Sequence, residues 1–247
     1  VLKAVEFAEG DHEVIVVDDG STDESVDFLR KTYPDIRVFE LPENSGFGSA
    51  CNAGVRVADN DILYFLNTDV DVEDDFLAGI ASHFKRPDVF SVGSREVQGK
   101  NFFTTVKFRY GIFWYKQEPA DELIDFPVQV LYNSGGYSAF CRDKFLELGG
   151  FDEIYSPFYF EDIDLCYRAW KRGWKSLWDP SSVVRHDFQG TISQDRRSAS
   201  ISRIHWRNRF LFTWKNISSF YFILKHFLFL PFELLLLPFV GKGFFMV

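Results

Sequence analysis

The apolar positions of this chain fall in short, unbroken runs that stop at acidic clusters. Val14-Ile15-Val16-Val17 leads into Asp18-Asp19-Gly20-Ser21, and Ile62-Leu63-Tyr64-Phe65-Leu66 leads into Asn67-Thr68-Asp69-Val70-Asp71. Continuous runs of this length read as strands covered on both faces, as in parallel sheets. Between them the pattern turns helical. Ser21-Thr22-Asp23-Glu24 starts a helix that runs to about Tyr33, where Pro34 ends it. Ile36 to Leu41 is the next strand, Pro42-Glu43-Asn44-Ser45-Gly46 a loop, and Phe47 to Ala58 a helix. A helix is predicted over 74–85, a strand over 134–141, a short helix over 143–148 and a helix over 162–172 that ends at Gly173. Lys175–Trp178 and Val183–His186 are the final short strands. This alternation predicts an α/β fold with right-handed crossovers and a mostly parallel sheet flanked by helices. Residues 94–132 hold many aromatics without a period and predict no element.

From Arg196 the pattern changes. Basic residues interleave with apolar ones, then Ile217 to Val240 is mostly apolar but interrupted by Lys225, His226, Pro231, Glu233 and Pro238. A membrane-crossing helix needs about 20 apolar residues in a row. The interruptions predict instead a helical appendage lying in the membrane interface, or two short helices docked on it. A soluble subdomain or an oligomer interface is the alternative. The division expected is therefore residues 1–195 and 196–247.

Charge sharpens this division. Residues 196–247 hold eight Lys/Arg and one acid, Glu233, a balance of +7, so the net charge of −9 leaves −16 on residues 1–195. An acidic body excludes nucleic acid as a partner, because a phosphate backbone needs a basic face. The basic, apolar tail fits an anionic membrane surface at the cytoplasmic side. Cys51, Cys141 and Cys166 show no CxxC spacing, which argues against a disulfide framework or a zinc site and for a reducing compartment.

The acidic clusters carry the candidate chemistry. In open α/β sheets ligands bind beyond the carboxyl ends of the strands, so both clusters are expected at one crevice. There carboxylates accept hydrogen bonds from a nucleotide or hold a divalent cation that carries phosphates. Gly46 and Gly48 either let the backbone approach a ligand or make an ordinary turn. A third cluster, Glu161-Asp162-Ile163-Asp164, follows Phe158-Tyr159-Phe160. Carboxylates beside one another and beside rings have raised pKa values, which suits a general base; an acidic helix start is the plainer explanation.

The blocks VIVVDDGSTDES (14–25), NSGFGSACNAG (44–54), YFLNTDVDVEDDFL (64–77), GGFDE (149–153), FEDIDLCYR (160–168) and Val184-Arg185-His186 resemble, in order, the family 2 glycosyltransferases, above all the rhamnosyl- and galactofuranosyltransferase-like members. The resemblance implies a GT-A fold, a nucleotide-sugar donor (UDP- or dTDP-linked), a divalent cation (Mg²⁺ or Mn²⁺), and inverting transfer to a glycan or lipid-linked acceptor. It implies roles residue by residue. Asp19, assisted by Asp18, contacts base or ribose, with Asn44, Gly46 and Asn67 beside the donor. Asp69 binds the metal with His186, and Asp71 is either a further ligand or the acidic start of the next helix. Asp162 is the base, with Glu161 and Asp164 shaping its field or binding acceptor hydroxyls. Phe158, Tyr159 and Trp114 are rings on which a sugar could rest, and the 94–132 stretch is where acceptor specificity varies in such enzymes, or a plain packed insertion.

Two departures from the pattern matter. Asn67 stands where many members carry an Asp. Val1-Leu2-Lys3-Ala4-Val5 reads as the tail of the first helix, so a preceding strand and base-holding loop are expected outside this sequence. A nucleotidyltransferase is a poorer reading, since it would not need Glu161-Asp162. A degenerate domain acting as a membrane or partner adaptor is the other alternative.

Overall fold

The computed structural model describes residues 12–73, 76–97, 102–119, 124–186 and 198–240. The expected helix tail at 1–5, Asp74 and Asp75, Arg196 and Arg197, and Lys242 lie outside the described residues. The first half runs β1 (Ile15–Asp18), α1 (Ser25–Thr32), β2 (Arg37–Glu40), α2 (Phe47–Val57), β3 (Ile62–Leu66), β4 (Val70–Val72), α3 (Ile80–His83) and β5 (Val89–Glu96). A hairpin follows, β6 (Phe102–Arg109) and β7 (Ile112–Pro119), then β8 (Val128–Val130), β9 (Tyr137–Cys141) and α4 (Arg142–Glu147). A 3₁₀ turn (Glu153–Tyr155) precedes α5 (Glu161–Lys171), β10 (Lys175–His186), α6 (Ser198–Asn216) and α7 (Phe220–Val240).

The central sheet has the order β3-β9-β5-β10-β4, with β8 also on β10, while β1 and β2 form a separate parallel pair. The sheet is mixed, which corrects the mostly parallel expectation. Only β5 and β10 pair in parallel within it; β9 runs antiparallel to both β3 and β5, and β4 and β8 run antiparallel to β10. The cause is the aromatic stretch that predicted no element. It folds into the β6–β7 hairpin, after which the chain re-enters the sheet between β3 and β5 in the reverse direction.

Side chains alternate across the strands, and both faces are covered, as the unbroken apolar runs require. One face carries Leu63 and Phe140 into the main core with Phe145, Phe151 and Leu165, joined by Phe90 where a register shift puts one extra residue into β5; the other carries Val92, Ala139 and Leu177 against Ile80. Two expected strands after Gly173 are one long β10 with an irregularity between Asp179 and Val183. The expected helix over 74–85 shrinks to Ile80–His83. Gly79 weakens its middle, at about 1 kcal/mol relative to Ala in a helix interior.

The expected division at 195/196 is not a packing boundary. α6 buries Phe212 in the main core, and Thr213 Oγ1 accepts a hydrogen bond from Phe113 N at 3.1 Å. α7 is a single helix that runs through Pro231 rather than two short ones. His226 locks it in place: Nδ1 donates to Gly111 O at 2.7 Å, and Nε2 accepts from Trp214 Nε1 at 2.9 Å. Among the described residues no helix is long and apolar enough to cross a membrane.

Candidate active site

The site forms where the ends of β1 and β3 meet the start of α5. Asp18 accepts from Ser21 N at 3.0 Å and holds its own turn closed. Asp19 accepts from Ser45 N at 2.7 Å and Gly46 N at 2.9 Å. These bonds carry the 42–46 loop, with Asn44 and Gly46, to the edge of β1. Sequence reasoning read Asp18 and Asp19 as donor contacts; the structure makes both carboxylates builders of the wall. An ionised carboxylate has about four acceptor positions, so Asp19 keeps capacity for a ligand.

Beyond β3, Asn67 N donates to Gly136 O at 2.8 Å. A Cβ on Gly136 would sit 2.6 Å from Asn67 Nδ2, so only glycine lets the two segments touch. The neighbouring Gly135 N points the other way, at Asp162 Oδ2, 3.3 Å distant. One two-glycine loop thus links the Asn67 turn to the carboxylate proposed as base.

The cation candidates are joined by strand register. Val70 on β4 pairs with His186 on β10, which places the backbone of His186 beside Asp69; the His186 side chain lies outside what is described. Asp71 pairs with Arg185, whose Nε donates to Glu73 Oε1 at 2.8 Å, and Asp71 itself is exposed. Among the described residues no three His, Cys, Asp or Glu side chains form a cage. One carboxylate with one imidazole suits an ion that completes its shell from substrate phosphates, because such ions take one or two protein carboxylates plus phosphate oxygens.

The start of α5 rests on two asparagines. Asn52 on α2 makes a reciprocal pair with Phe151, Nδ2 to O at 2.8 Å and N to Oδ1 at 2.9 Å. Gly150 takes φ +75°, and a Cβ there would meet Asn52 Oδ1 at 2.4 Å. This pair pins the Gly149-Gly150-Phe151 turn, and Phe151 fills the core against Phe145. Ahead of α5 the chain makes a tight loop in which Tyr159 (φ 73°) and Phe160 (φ 82°) are left-handed. Non-glycine residues held there cost about 1–3 kcal/mol each and persist only when their surroundings over-determine them. Asn208 on α6 does this. Fully buried, its Nδ2 donates to the carbonyls of Tyr155 (2.8 Å), Phe158 (3.0 Å) and Tyr159 (2.8 Å).

That loop delivers Glu161 and Asp162. Burial pushes Glu161 above the usual carboxylate range, and the charge of Asp162 adds to it. Glu161 Oε2 has no hydrogen-bond partner among the described residues. Burial also raises Asp162, against the pull of the Ile163 and Gly135 N–H groups. Asp164 keeps only one of its two expected roles, since it cannot bind an acceptor hydroxyl. It is fully buried, facing Tyr155 Oη (3.1 Å), Arg168 Nε (2.7 Å), Lys215 Nζ (2.7 Å) and Asn216 Nδ2 (2.9 Å). It ties α5 to the end of α6 and has no face left for an acceptor.

A wall of rings closes the site. Tyr115 on β7 is hydrogen-bonded to His205 on α6, and both pack against Phe160. Burial raises Tyr115, with Asp162 adding to the rise and Arg209 opposing it; burial and Arg209 lower His205 to about 4, so its ring is neutral. The stretch that predicted no element is therefore both packed and part of the wall. Of the rings singled out for sugar stacking, Phe158 is buried, whereas Tyr159 is exposed and Trp114 half-buried. Sequence reasoning missed Asn52, His205 and Asn208. The signal for Asn208 was an asparagine four residues after Ile204 and four before Phe212, on the stripe that turns to the core.

Comparison with known proteins gives the class first. The fold is that of GT-A glycosyltransferases. It is shared with GalNAc-T7, solved with UDP, GalNAc and Mn²⁺ (TM-score 0.61, 18% identity, 78% of this chain and 41% of that one). It is also shared with the mannosyltransferase PcManGT from Pyrobaculum calidifontis, solved with GDP-Man and Mn²⁺ (TM-score 0.57, 17% identity, 99% and 76%). The family profile described as Glycosyl transferase family 2 matches residues 1–149, and the chain belongs to that family. It is 32% identical over 180 residues to the pre-mycofactocin glycosyltransferase of Mycobacterium tuberculosis, covering 70% of this chain but only 37% of that protein's length. It is 29% identical over 231 residues to the N-acetylglucosaminyl-diphospho-decaprenol L-rhamnosyltransferase of the same organism, covering 81% and 73%.

Proposed function

We propose that this chain is an inverting glycosyltransferase in which Asp162 is the general base. The observation that carries the reading is the Asn67–Gly136–Gly135–Asp162 link, which holds a desolvated carboxylate a fixed distance from the donor edge. The acceptor hydroxyl gives its proton to Asp162 as it attacks the anomeric carbon from the face opposite the nucleoside diphosphate, and one displacement inverts that centre. Asp69 and His186 would hold the divalent cation with the donor's phosphates. When bound, that ion supplies neutralisation of the charge that grows on the leaving diphosphate. The donor wall is the Asp19-clamped loop with Asn44 and Gly46, and the donor is a UDP- or dTDP-sugar. The acceptor is a glycan or lipid-linked glycan, in keeping with the name of the rhamnosyltransferase relative. A donor panel with Mn²⁺ or Mg²⁺, with product anomericity read by NMR, tests this. One donor should give transfer with inverted configuration; retained configuration, or metal-dependent binding without turnover of any donor, would favour the adaptor alternative.

We further propose that the protein works as a peripheral protein at the cytoplasmic face of the cell membrane, with α7 in the interface. On α7 the polar side chains turn inward and the apolar ones outward: His226 is buried, while Phe220 (79% exposed), Leu224 (60%), Phe227 (67%), Leu228 (64%) and Leu235 (70%) line the outer face. An exposed apolar stripe of this extent marks a surface that another phase covers. The charge half of the sequence argument weakens, because Arg207 and Lys215 bond to the body and Arg209 is buried. In a flotation assay the intact chain should rise with vesicles at any modest salt concentration. Leu228→Lys with Phe232→Lys should leave it in the soluble fraction. Equal flotation of that variant would remove α7 as the anchor.

A further inference from the structure

Glu161 has no part in the transfer step, yet it is 7% exposed, and its Oε2 is buried without a hydrogen-bond partner among the described residues. Its stem lies against the first turn of α2: a Cβ on Gly48 would stand 3.9 Å from both Cβ and Cγ of Glu161. A small cavity opens at this contact, lined by Gly48, Ser49 and Glu161 together with Ser156 and Pro157. It has room for about one water molecule, and a buried water takes about two to four polar partners. The lining supplies them. The first N–H groups of a helix have no intrahelical acceptor. In α2, Phe47 N donates to Pro157 O at 3.2 Å and Ala50 N to Gly46 O at 3.0 Å, whereas Gly48 N and Ser49 N meet no acceptor among the described residues. Two donors and one acceptor, all otherwise unmet, therefore border a space the size of one water.

The junction joins the two halves of the site. α2 begins where the donor loop ends, at Gly46, whose N–H is held by Asp19; α5 begins at Glu161 and presents Asp162 next. We propose that Glu161 is a positioning residue: through one bound water it ties the first turn of α2 to the start of α5, so that the donor loop and Asp162 are held as one unit. This rests on the reading of Asp162 as base. The water accepts from the two N–H groups and donates to Oε2. The same seat decides which carboxyl keeps a proton, because two neighbouring carboxyls do not both ionise readily. Glu161 is buried and Asp162 half-open, and burial with the charge of Asp162 holds Glu161 above the usual carboxylate range. The surrounding groups offer no countercharge. Asp152 is taken by Lys215 at 2.6 Å, Tyr155 donates to Asp164, and Glu153 is exposed. Arg207 donates to the carbonyl of Tyr155, and burial raises both Cys51 and Tyr159, with Glu161 adding to each, so both stay neutral. Glu161 thus keeps its proton at neutral pH, and Asp162 is the single charge of the pair.

The test is a pH titration by NMR of the whole chain, isotope-labelled in the backbone amides and the glutamate carboxyls. The Glu161 resonance is assigned by its loss in Glu161→Gln and its shift in Asp162→Asn. It should be that of a protonated acid at neutral pH and ionise only in the alkaline range, with a lower midpoint once the Asp162 charge is gone. The amides of Gly48 and Ser49 should move with the same midpoint and show a cross-peak to bound water. A Glu161 already ionised at neutral pH, or amides that ignore its titration, overturns the inference on the wild-type fold and without turnover. In activity, Glu161→Ala should lower kcat by about tenfold or more, as a slightly displaced base does. Glu161→Gln should recover that loss and carry activity to higher pH, since an amide cannot ionise. A residue that merely fills space would not move the alkaline limb, so a Glu161→Gln profile that keeps the wild-type limb also sinks the idea. Near-ultraviolet dichroism checks the fold of each variant. If Asp162→Asn retains turnover while Glu161 titrates as described, the base reading fails and the water tie stands, so the two fail separately.

Discussion

Asp162→Asn is expected to lower turnover by a factor on the order of 10²–10⁴, the usual loss when a positioned base is removed, while leaving donor binding intact. The same change should hold or raise thermal stability. Burial lifts the Asp162 carboxyl above its unfolded value, so the folded chain binds that proton more tightly than the unfolded chain does. Stability from this group therefore falls as pH rises from the unfolded pKa through the folded one, and at neutral pH the ionised carboxylate is a net cost. Asparagine removes that cost. The raised pKa also sets the acid limb of the rate profile: activity should disappear on acidification at a pH above the ordinary aspartate range. Turnover within a few-fold of wild type, in a variant with unchanged donor affinity, would end the assignment of Asp162 as base. A melting temperature that drops sharply would show that the carboxylate is held by contacts rather than against them.

Asn208→Ala is expected to be nearly as damaging, from a position that touches no substrate. The two N–H donors of one buried amide reach three carbonyls of the loop that ends in Phe160, sharing one donor. Leaving buried acceptors unpaired costs about 1–3 kcal/mol each; partial relaxation brings the expected loss to roughly 2–5 kcal/mol. The left-handed Tyr159 and Phe160 would then have less to hold them, and the base would shift. A displacement of about 1 Å can cost on the order of 10²-fold in rate. Asn208→Asp separates the two roles, because it keeps the shape and loses the donors. If calorimetry shows either variant as stable as wild type with unaltered turnover, Asn208 is not the clamp described.

Much of this was legible in the chain. The apolar runs at 14–17 and 62–66 fall on strands β1 and β3, and residues 161–171 form the helix expected there, because the local pattern suffices at those places, although β1 is only half-buried and lies outside the central sheet. Asp69 and His186 were paired only through the family pattern, and the β4–β10 register brings their backbones together. What the sequence hid was set by distant partners. Nothing local separates Asp164, buried among four donors, from Asp162, two residues away and half-open. Nothing local says that the basic residues after 196 turn inward either: Lys215 serves Asp152 and Asp164, and Arg207 and Asn208 serve carbonyls near residue 155. Strand direction in the sheet was likewise decided by the β6–β7 hairpin, whose aromatics carried no period.

The clamp on the loop ahead of α5 comes from about fifty residues further along the chain. During synthesis the sheet, α2 and α5 all emerge before Asn208 does. A nascent chain halted just short of α6 has every acidic residue of the site but not the brace that sets Tyr159 and Phe160. A chain that stops before α6 should therefore carry the carboxylates of the site without the geometry that positions them.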